Sequence, residues 1–302
     1  MLYEAVRDRD YKRATKMARA GANVNQVVGH GWTPIVSAVV ARDRRMVEVL
    51  LQLGAKPALG IQAETGALTF ACGRDADSVA TMKALVEHGV PPDRLIHAAA
   101  KAGTVGTVRQ LLTRGADPNL LDFLGHRPLR EARSPAIIRE LFRFGADPLA
   151  YSSDNEHPLH FNVSEDRPDN IRALLAGGVP VDYPEPSPPD RPEIGDGYAL
   201  HMAVSLGYYR SAKVLLEAGA NPELLSDYHT LTPVMIASQR GFVRLLRLLL
   251  KHGASATRKI DGDTARSQAL FGLALNPEKK ELFQEVFALL DKAERRSRGG
   301  RN

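Results

Sequence analysis

A short motif recurs along the whole chain: two apolar residues, a gap of two, then Gly and a small residue. It is clearest in the segments VLLQLGAKP, QLLTRGADP, VLLEAGANP and LLLKHGASA, and a variant, KMARAGANV, stands near the start. The glycines of this motif are Gly21, Gly54, Gly89, Gly115, Gly145, Gly178, Gly219 and Gly253. Their spacings are 33, 35, 26, 30, 33, 41 and 34 residues. A period near 33 predicts stacked structural repeats, each of which contacts only its neighbours.

A second motif precedes the glycines by the length of two short helices. It reads GWTPIVSAV, RLIHAAAKAG, YALHMAVSLG and LTPVMIASQRG in four of the repeats. Thr33 and Thr232 suit the N-cap of a helix, and Pro34 and Pro233 suit its first position, where a missing N–H is harmless. The glycine at the far end supplies the left-handed residue that ends the second helix. Each repeat therefore predicts two helices of about two to three turns.

The combination of T-P-L-H-x-A-A-x-x-G and L-L-x-x-G-A-D-x-N at this period resembles the ankyrin-repeat family, from about residue 1 to about residue 290. The resemblance implies an all-α ankyrin-repeat solenoid, made of stacked helix-turn-helix units with β-hairpin or turn fingers. We predict a single array over residues 1–290, with about eight to nine repeats, and a basic flexible tail over 295–302. The predicted segments are 1–28 (N-terminal cap), 29–62, 63–91, 92–121, 122–153, 154–195 (with an extended Pro-rich finger), 196–227, 228–260 and 261–294 (C-terminal cap).

Paired leucines near the end of each second helix are expected to form a continuous core, because stacking buries both faces of a repeat. The pairs are Leu50/Leu51, Leu111/Leu112, Leu174/Leu175, Leu215/Leu216 and Leu249/Leu250.

Two segments depart from the period. The 26 residues between Gly89 and Gly115 leave almost no room for a finger, and REARSPAII shortens a first helix, so that Pro135 must begin the helix that follows.

Composition narrows the class of protein. The 302 residues are 44% hydrophobic and 25% charged, as in a folded soluble protein. Cys72 is the single cysteine, which excludes an intramolecular disulfide and any multi-cysteine metal site. No apolar run approaches the ~20 residues of a membrane helix, and we recognise no signal peptide. We therefore expect no membrane insertion and a cytoplasmic location, or a host cytosol for a secreted effector.

No catalytic constellation is present in the sequence. His97, His160 and His201 share the LH position of the repeat, which predicts scaffold hydrogen bonding, although His157 and His160 have the spacing of one helix face. Cys72 follows small residues in LTFAC and is expected to pack. Motifs of zinc hydrolases, phosphate-binding loops and serine hydrolases do not occur. We predict that the protein is no enzyme and that it has no catalytic residue, cofactor or metal.

Ankyrin-repeat proteins bind partners with the finger tips and the exposed faces of their first helices, on the concave side. Carried over repeat by repeat, the resemblance implies partner contacts at His30, Trp32, Val40, Lys101, His126, Glu156, Ser205, Leu206, His229, Gln239 and Arg240. Trp32 is the only tryptophan. It either anchors a partner from its finger or packs on the neighbouring repeat, and the sequence leaves both open.

A proline-rich run, VDYPEPSPPDRPEI, occupies residues 181–194. Gly178 and Gly219 are 41 residues apart, and the repeat motif resumes at YALHMAVSLG. We therefore interpret the run as an enlarged finger between two stacked repeats and not as a domain linker. It would offer a partner an aromatic ring and both charge signs, through Tyr183, Glu185, Asp190 and Arg191. A tolerated insertion is the alternative.

The leading functional prediction is a non-enzymatic module that holds one protein partner on its concave face and finger tips, and is monomeric on its own. An inhibitor, an immunity-type protein or an effector would fit such a module. The alternative is a basic nucleic-acid or anionic-surface binder, suggested by the net charge of +5. Because the basic residues are spread among 35 acidic ones, we expect no nucleic-acid partner. Strong salt dependence would identify one.

Overall fold

The computed structural model describes residues 2–28, 32–57, 76–122, 124–153, 156–184, 198–225 and 231–299. The chain divides into two compact units, Met1–Asp147 (unit 1) and Pro148–Asn302 (unit 2). The described ranges contain 17 α-helices, one 3₁₀ turn and no β-strand beyond three isolated bridges. The predicted all-α class is therefore confirmed. Cys72, His30, Glu185, Asp190, Arg191 and His229 lie outside the described residues.

Unit 1 is built from helix pairs. Its helices are α1 (Leu2–Arg7), α2 (Tyr11–Arg19), α3 (Pro34–Val40), α4 (Arg44–Gln52), α5 (Ala76–Glu87), α6 (Asp93–Ala102), α7 (Val105–Thr113), α8 (Pro128–Glu131) and α9 (Pro135–Arg143). Within pairs, α1 contacts α2, α3 contacts α4, and α6 contacts α7. Between pairs, first helices meet first helices (α1 with α3, α6 with α8), and second helices meet second helices (α2 with α4, α7 with α9). This is the packing of a stacked repeat.

Unit 2 repeats the arrangement. Its helices are α10 (Pro158–Ser164), α11 (Pro168–Ala176), α12 (Ala199–Ser205), α13 (Tyr209–Glu217), α14 (Pro233–Arg240), α15 (Val243–Lys251), α16 (Ala265–Leu275) and α17 (Lys280–Gly299), with a 3₁₀ turn (Pro277–Lys279) before α17. First helices contact in the order α10, α12, α14, α16, and second helices in the order α11, α13, α15, α17. Because α10 packs on α12 and α11 on α13, the proline-rich run interrupts no packing. The exact repeat boundaries stay a prediction.

The helix ends form as the motifs predict. Thr33 Oγ1 accepts the N–H of Val36 at 3.4 Å, and Thr232 Oγ1 accepts that of Met235 at 3.4 Å, with proline next in each case. The eight motif glycines have φ between +86° and +102°. Only glycine adopts this region without strain, so these residues let the chain leave each second helix.

The leucine core is confirmed for eight of its ten predicted members. Leu175 and Leu250 are partly exposed, and the prediction is wrong for these two. Leu175 lines an open cavity of about 430 Å³ together with Val179, Val181 and Val214. Leu250 follows the buried Leu249, and successive helical residues point in different directions, so α15 turns Leu250 outward.

Both predicted irregularities are present. The helix α6 begins at Asp93, directly after the turn that contains Gly89, so that finger is clipped. The first helix α8 has only 4 residues, and Pro135 is the first residue of α9. Ser134 caps that helix by accepting the N–H of Ile137.

A recurring hydrogen bond, which we call the finger link, joins successive loops. The acceptor is the side chain of the fourth residue after a motif glycine. The donor is the backbone N–H of the second residue after the following motif glycine. The links are Asn25 to Lys56 (2.7 Å), Asp93 to Asp117 (2.7 Å), Asn119 to Asp147 (2.8 Å), Asp182 to Asn221 (3.1 Å) and Glu223 to Ser255 (2.7 Å). The links therefore fix each loop relative to its neighbour.

Candidate functional site

The finger between Leu120 and Arg127, in unit 1, is fixed by hydrogen bonds around Asp122. The Oδ1 atom of Asp122 accepts the N–H of Leu124 at 2.9 Å and that of His126 at 2.8 Å. A side chain that binds the backbone two residues on is typical of a rigid turn. This finger also carries Leu121, which is 44% exposed, while Leu124 is 57% exposed. A fixed turn therefore holds two leucine side chains in solvent.

A largely buried carboxylate lies beside this finger. Glu131, the last residue of α8, has its Oε1 3.5 Å from His126 Nδ1 and 3.0 Å from Arg130 Nη1. Its Oε2 lies 3.4 Å from Lys101 Nζ. The Glu131 side chain is only 11% exposed, and a carboxylate removed from water requires such partners. We call these four residues the Glu131 cluster.

The cluster joins two residues that the sequence predicts as partner contacts, Lys101 and His126. Glu131 connects them and was not predicted. It lies in a helix shortened to 4 residues, where the repeat pattern supplies no reference position. The sequence therefore carried no signal for it.

His97 supports the same finger from α6. Its Nε2 lies 2.9 Å from the carbonyl oxygen of Leu120 and 3.1 Å from that of His126. Both oxygens are acceptors, so Nε2 carries a proton and donates it. In unit 2, His157 bonds in a similar way to the Pro148 carbonyl at 2.9 Å. His97 thus has the scaffold role that its repeat position predicts.

Trp32 lies in the first finger, where it forms an isolated antiparallel bridge with Val28. Its backbone N–H donates to the Val28 carbonyl at 3.1 Å, and its carbonyl accepts the Val28 N–H at 2.7 Å. The side chains of Trp32 and Val40 are half-buried, and Val40 ends α3. A role in partner binding stays a prediction for both.

Tyr183 belongs to an aromatic cluster at the start of the proline-rich run. Its ring centroid lies 5.5 Å from that of Tyr151 in a stacked arrangement and 4.9 Å from that of His157. The Tyr151 hydroxyl donates to the Pro184 carbonyl at 2.9 Å, and Pro184 forms an antiparallel bridge with Tyr198. Tyr183 is therefore half-buried by contacts within the chain, and its contact with a partner stays a prediction.

The other predicted contacts of unit 2 are scattered over its first helices and turns. Glu156 is half-buried, and its carbonyl accepts the Ser152 N–H at 3.1 Å. Ser205 ends α12 and precedes the exposed Leu206. In α14, Gln239 is half-buried and Arg240 is exposed.

The carboxylates of Asp182 and Glu140 have shifted pKa values, and both serve structure. Burial raises the pKa of Asp182, and the hydrogen bond from the Asn221 N–H partly offsets this effect. The hydrogen bonds from Arg109 hold the pKa of Glu140 below its usual value, against the opposing effect of burial. That pair is bidentate, with distances of 2.7 Å and 3.0 Å, and it links α7 to α9.

The described part of the chain contains neither a cluster of metal ligands nor a helix of membrane-spanning character. No three His, Cys, Asp or Glu side chains there are arranged to hold a metal ion. No described helix has the length and hydropathy needed to cross a membrane.

Comparison with known families decides the classification. A model described as an ankyrin repeat matches residues 93–123, and one described as ankyrin repeats in three copies matches residues 200–274. The chain contains ankyrin repeats. The motif glycines, the capped first helices and the stacked pairs are the structural counterparts of that match.

Solved structures support the same fold. The human ASB11 ankyrin repeat domain superposes with a TM-score of 0.54 at 21% identity, covering 85% of this chain and 98% of that domain. The ankyrin repeat domain of Bcl-3, a member of the IkappaB family, gives a TM-score of 0.54 at 22% identity, covering 68% and 86%. At this identity the likeness shows the fold alone.

The sequence relatives are much longer proteins. The glycerophosphocholine phosphodiesterase GDE1 of Eremothecium gossypii is 34% identical over 97 residues, which is 32% of this chain and 7% of that enzyme. Across three such relatives, the chain spans between 7% and 31% of their length. Ankyrin repeats in general are non-catalytic protein–protein interaction modules.

Proposed function

We propose that this chain holds a protein partner on the surface formed by the finger between Leu120 and Arg127 and the Glu131 cluster. The observation that carries the proposal is the pair of exposed leucines, Leu121 and Leu124, on a hydrogen-bonded turn. Full burial of a leucine side chain contributes about 1.5–3 kcal/mol. Because the turn is fixed before binding, little conformational entropy is lost when the partner docks.

The Glu131 cluster supplies the polar part of the same surface. Protein interfaces combine an apolar centre with a polar rim. Lys101 is about half exposed, and its contact with Glu131 holds the ammonium group in place. Since the Glu131 oxygens are already engaged by Lys101, Arg130 and His126, we assign this carboxylate to positioning and not to catalysis.

Such a surface would act by covering a surface of its partner, in the manner of an inhibitor, an immunity-type protein or an effector. The remaining predicted contacts, among them Trp32, Val40, Leu206 and Arg240, are proposed to extend binding over other fingers and first helices. No catalytic step is needed for this action.

The double variant Leu121→Ser/Leu124→Ser tests the proposal. Leu149→Ser is its matched control, because Leu149 is 44% exposed on a turn of unit 2. Proteins captured from an extract of the cell of origin are identified by mass spectrometry, and the dissociation constant of the principal one is then measured. We expect the double variant to weaken binding at least about tenfold and the control to retain it.

Equal binding by the double variant and the wild type would contradict the proposal. A repeat of the capture after nuclease treatment, at low and at physiological salt, separates the nucleic-acid alternative. A nucleic-acid complex should weaken by orders of magnitude over that range, whereas a contact centred on leucines should not.

A further inference from the structure

The last helix pair of unit 2 leaves an apolar face uncovered. In α16, Leu270, Phe271 and Leu275 are 55%, 52% and 64% exposed, and Leu282 of α17 is exposed as well. No other described helix exposes a large apolar side chain. Terminal repeats ordinarily carry a polar outer face, and an apolar patch of this kind marks an interaction site.

The exposed side chains form one stripe on α16. Leu270, Phe271, Ala274 and Leu275 have the spacing of a single helix face. The opposite face packs on α14, where Gly272 lies so close to Gln239 that a Cβ atom would collide with its carbonyl oxygen. The neighbouring first helix α14 is covered on two sides, by α12 and by α16. The stripe is therefore the face on which a stack of first helices would continue.

The stripe is complementary to itself. A two-fold point between Gly272 and Leu273 relates the four stripe positions in two pairs, 270 with 275 and 271 with 274. If α16 packs antiparallel against a second α16, Leu270 faces Leu275, and Phe271 faces Ala274. A large side chain opposite a small one lets two helices interdigitate. A two-fold symmetric contact needs this kind of self-complementarity.

No charge opposes the pairing. The stripe contains no ionisable residue, so a second copy would bury no unpaired charge there. Arg266, the nearest basic residue on α16, is ion-paired with Asp291 of α17, and its guanidinium lies over the Phe287 ring at 5.5 Å. Its charge is therefore held against α17.

We propose that a second copy of the chain covers this face, with the two α16 helices packed antiparallel about a two-fold axis. The contact uses none of the residues of the proposed partner surface in unit 1. It replaces the sequence-based expectation of a monomer. Because one helix from each copy buries less than a standard interface, the dimer is weak and depends on concentration.

Sedimentation velocity over a series of protein concentrations measures the association. For the wild type, the weight-average mass should rise above the monomer value of 32.9 kDa. Phe271→Ser should raise the dimer dissociation constant at least about tenfold. Leu149→Ser again serves as the control and should dimerise like the wild type. Far-ultraviolet circular dichroism checks that each variant is folded. We expect both to fold, because the replaced side chains are exposed to solvent.

A mixing experiment tests the register of the pair. Phe271→Lys and Ala274→Glu should each be monomeric alone. In a mixed dimer, one contact pairs Lys with Glu and the other keeps Phe271 against Ala274, so the mixture should associate. A mixture that stays monomeric overturns the antiparallel register. A wild type that stays monomeric at its highest concentration, or a Phe271→Ser variant that dimerises equally well, overturns the proposal itself.

Discussion

Asn119 in unit 1 and Asp182 in unit 2 hold equivalent places in their loops and make chemically different finger links. Asn119 accepts the N–H of Asp147 at 2.8 Å and also donates its own Nδ2–H to the Gly145 carbonyl at 2.9 Å. Asp182 accepts the N–H of Asn221 at 3.1 Å. An ionised carboxylate has no hydrogen to donate, so its link consists of acceptance alone.

The difference shows that one geometric role tolerates two chemistries with different responses to pH. The amide of Asn119 is neutral and uses both of its functional atoms. The carboxylate of Asp182 is partly buried, and this burial raises its pKa. The link in unit 2 is therefore sensitive to protonation at a position where the link in unit 1 is not.

The largest effect is expected from Leu215→Asp, which removes the packed support beneath the Asp182 link. Leu215 is fully buried, and its carbonyl accepts the N–H of Ala220, next to Asn221. A buried, unpaired carboxylate should destabilise unit 2 by more than about 4 kcal/mol. Thermal unfolding followed by circular dichroism measures this. Arg210→Asp, on the exposed side of the same helix, is the control and should change stability by less than about 0.5 kcal/mol. An unchanged transition in Leu215→Asp would show that the predicted core is wrong.

The next effect is expected from Asn119→Asp, which converts the link of unit 1 into that of unit 2. The variant keeps the acceptor for Asp147 and loses the donor to the Gly145 carbonyl, at a cost of about 1–2 kcal/mol. Urea unfolding at neutral pH gives the value. Asn23→Asp is the matched control, because the Asn23 side chain accepts from the Asn25 N–H, which a carboxylate can also do. Equal losses in the two variants would remove the distinction between amide and carboxylate links.

The reverse change, Asp182→Asn, should stabilise unit 2 by about 1 kcal/mol at neutral pH, since an amide at this equivalent position is expected to donate to the Gly219 carbonyl as Asn119 donates to the Gly145 carbonyl. The pH dependence sharpens the test. The pKa of Asp182 is raised in the folded state, so the folded chain binds this proton more tightly than the unfolded chain does. Ionisation of Asp182 therefore lowers wild-type stability as the pH rises from 3.8 through the folded pKa. The advantage of the variant should grow over that window, and a constant advantage would contradict the assignment.

The smallest effect is expected from Glu140→Gln, which weakens the pair with Arg109. The pKa of Glu140 is shifted in the opposite direction to that of Asp182. The Arg109 hydrogen bonds lower the pKa of Glu140 in the folded state. Its contribution is therefore present above the ordinary pKa of 4.5 and is lost as the pH falls through the lowered value. The melting temperatures of variant and wild type should converge in acid. Glu217→Gln, on an exposed helix face, is the matched control for the removal of a carboxylate charge.

The sequence predicted those parts of the structure that depend on local rules repeated along the chain. The Thr33 and Thr232 caps, the left-handed glycines and the helix start at Pro135 each follow from the chemistry of one or two residues. The fold class followed from their recurrence. The candidate site was predicted only in part: Lys101 and His126 were identified, but Glu131 was not.

The parts that were missed depend on contacts between residues far apart in the chain. Tyr183 stacks on Tyr151, which lies 32 positions earlier in the chain, and no local sequence pattern predicts a stacked pair at that distance. Leu175 satisfies the repeat pattern and still lines an open cavity, because its exposure depends on Val181 and Val214 on other segments. The apolar stripe of α16 was likewise hidden, since its leucines resemble core residues until the packing of α14 shows which face is covered.

Because Pro184 and Tyr198 form a bridge, the spacing of the two flanking repeats does not depend on the number of residues between them. The two partners lie side by side, so the helices α11 and α12 meet the same geometric demand however many residues connect the bridge. Natural variation in this segment can therefore proceed by insertion and deletion without a matching change in the core. The same property makes the position a graft point, where a foreign peptide could be displayed on this scaffold while the flanking helix pairs keep their contacts.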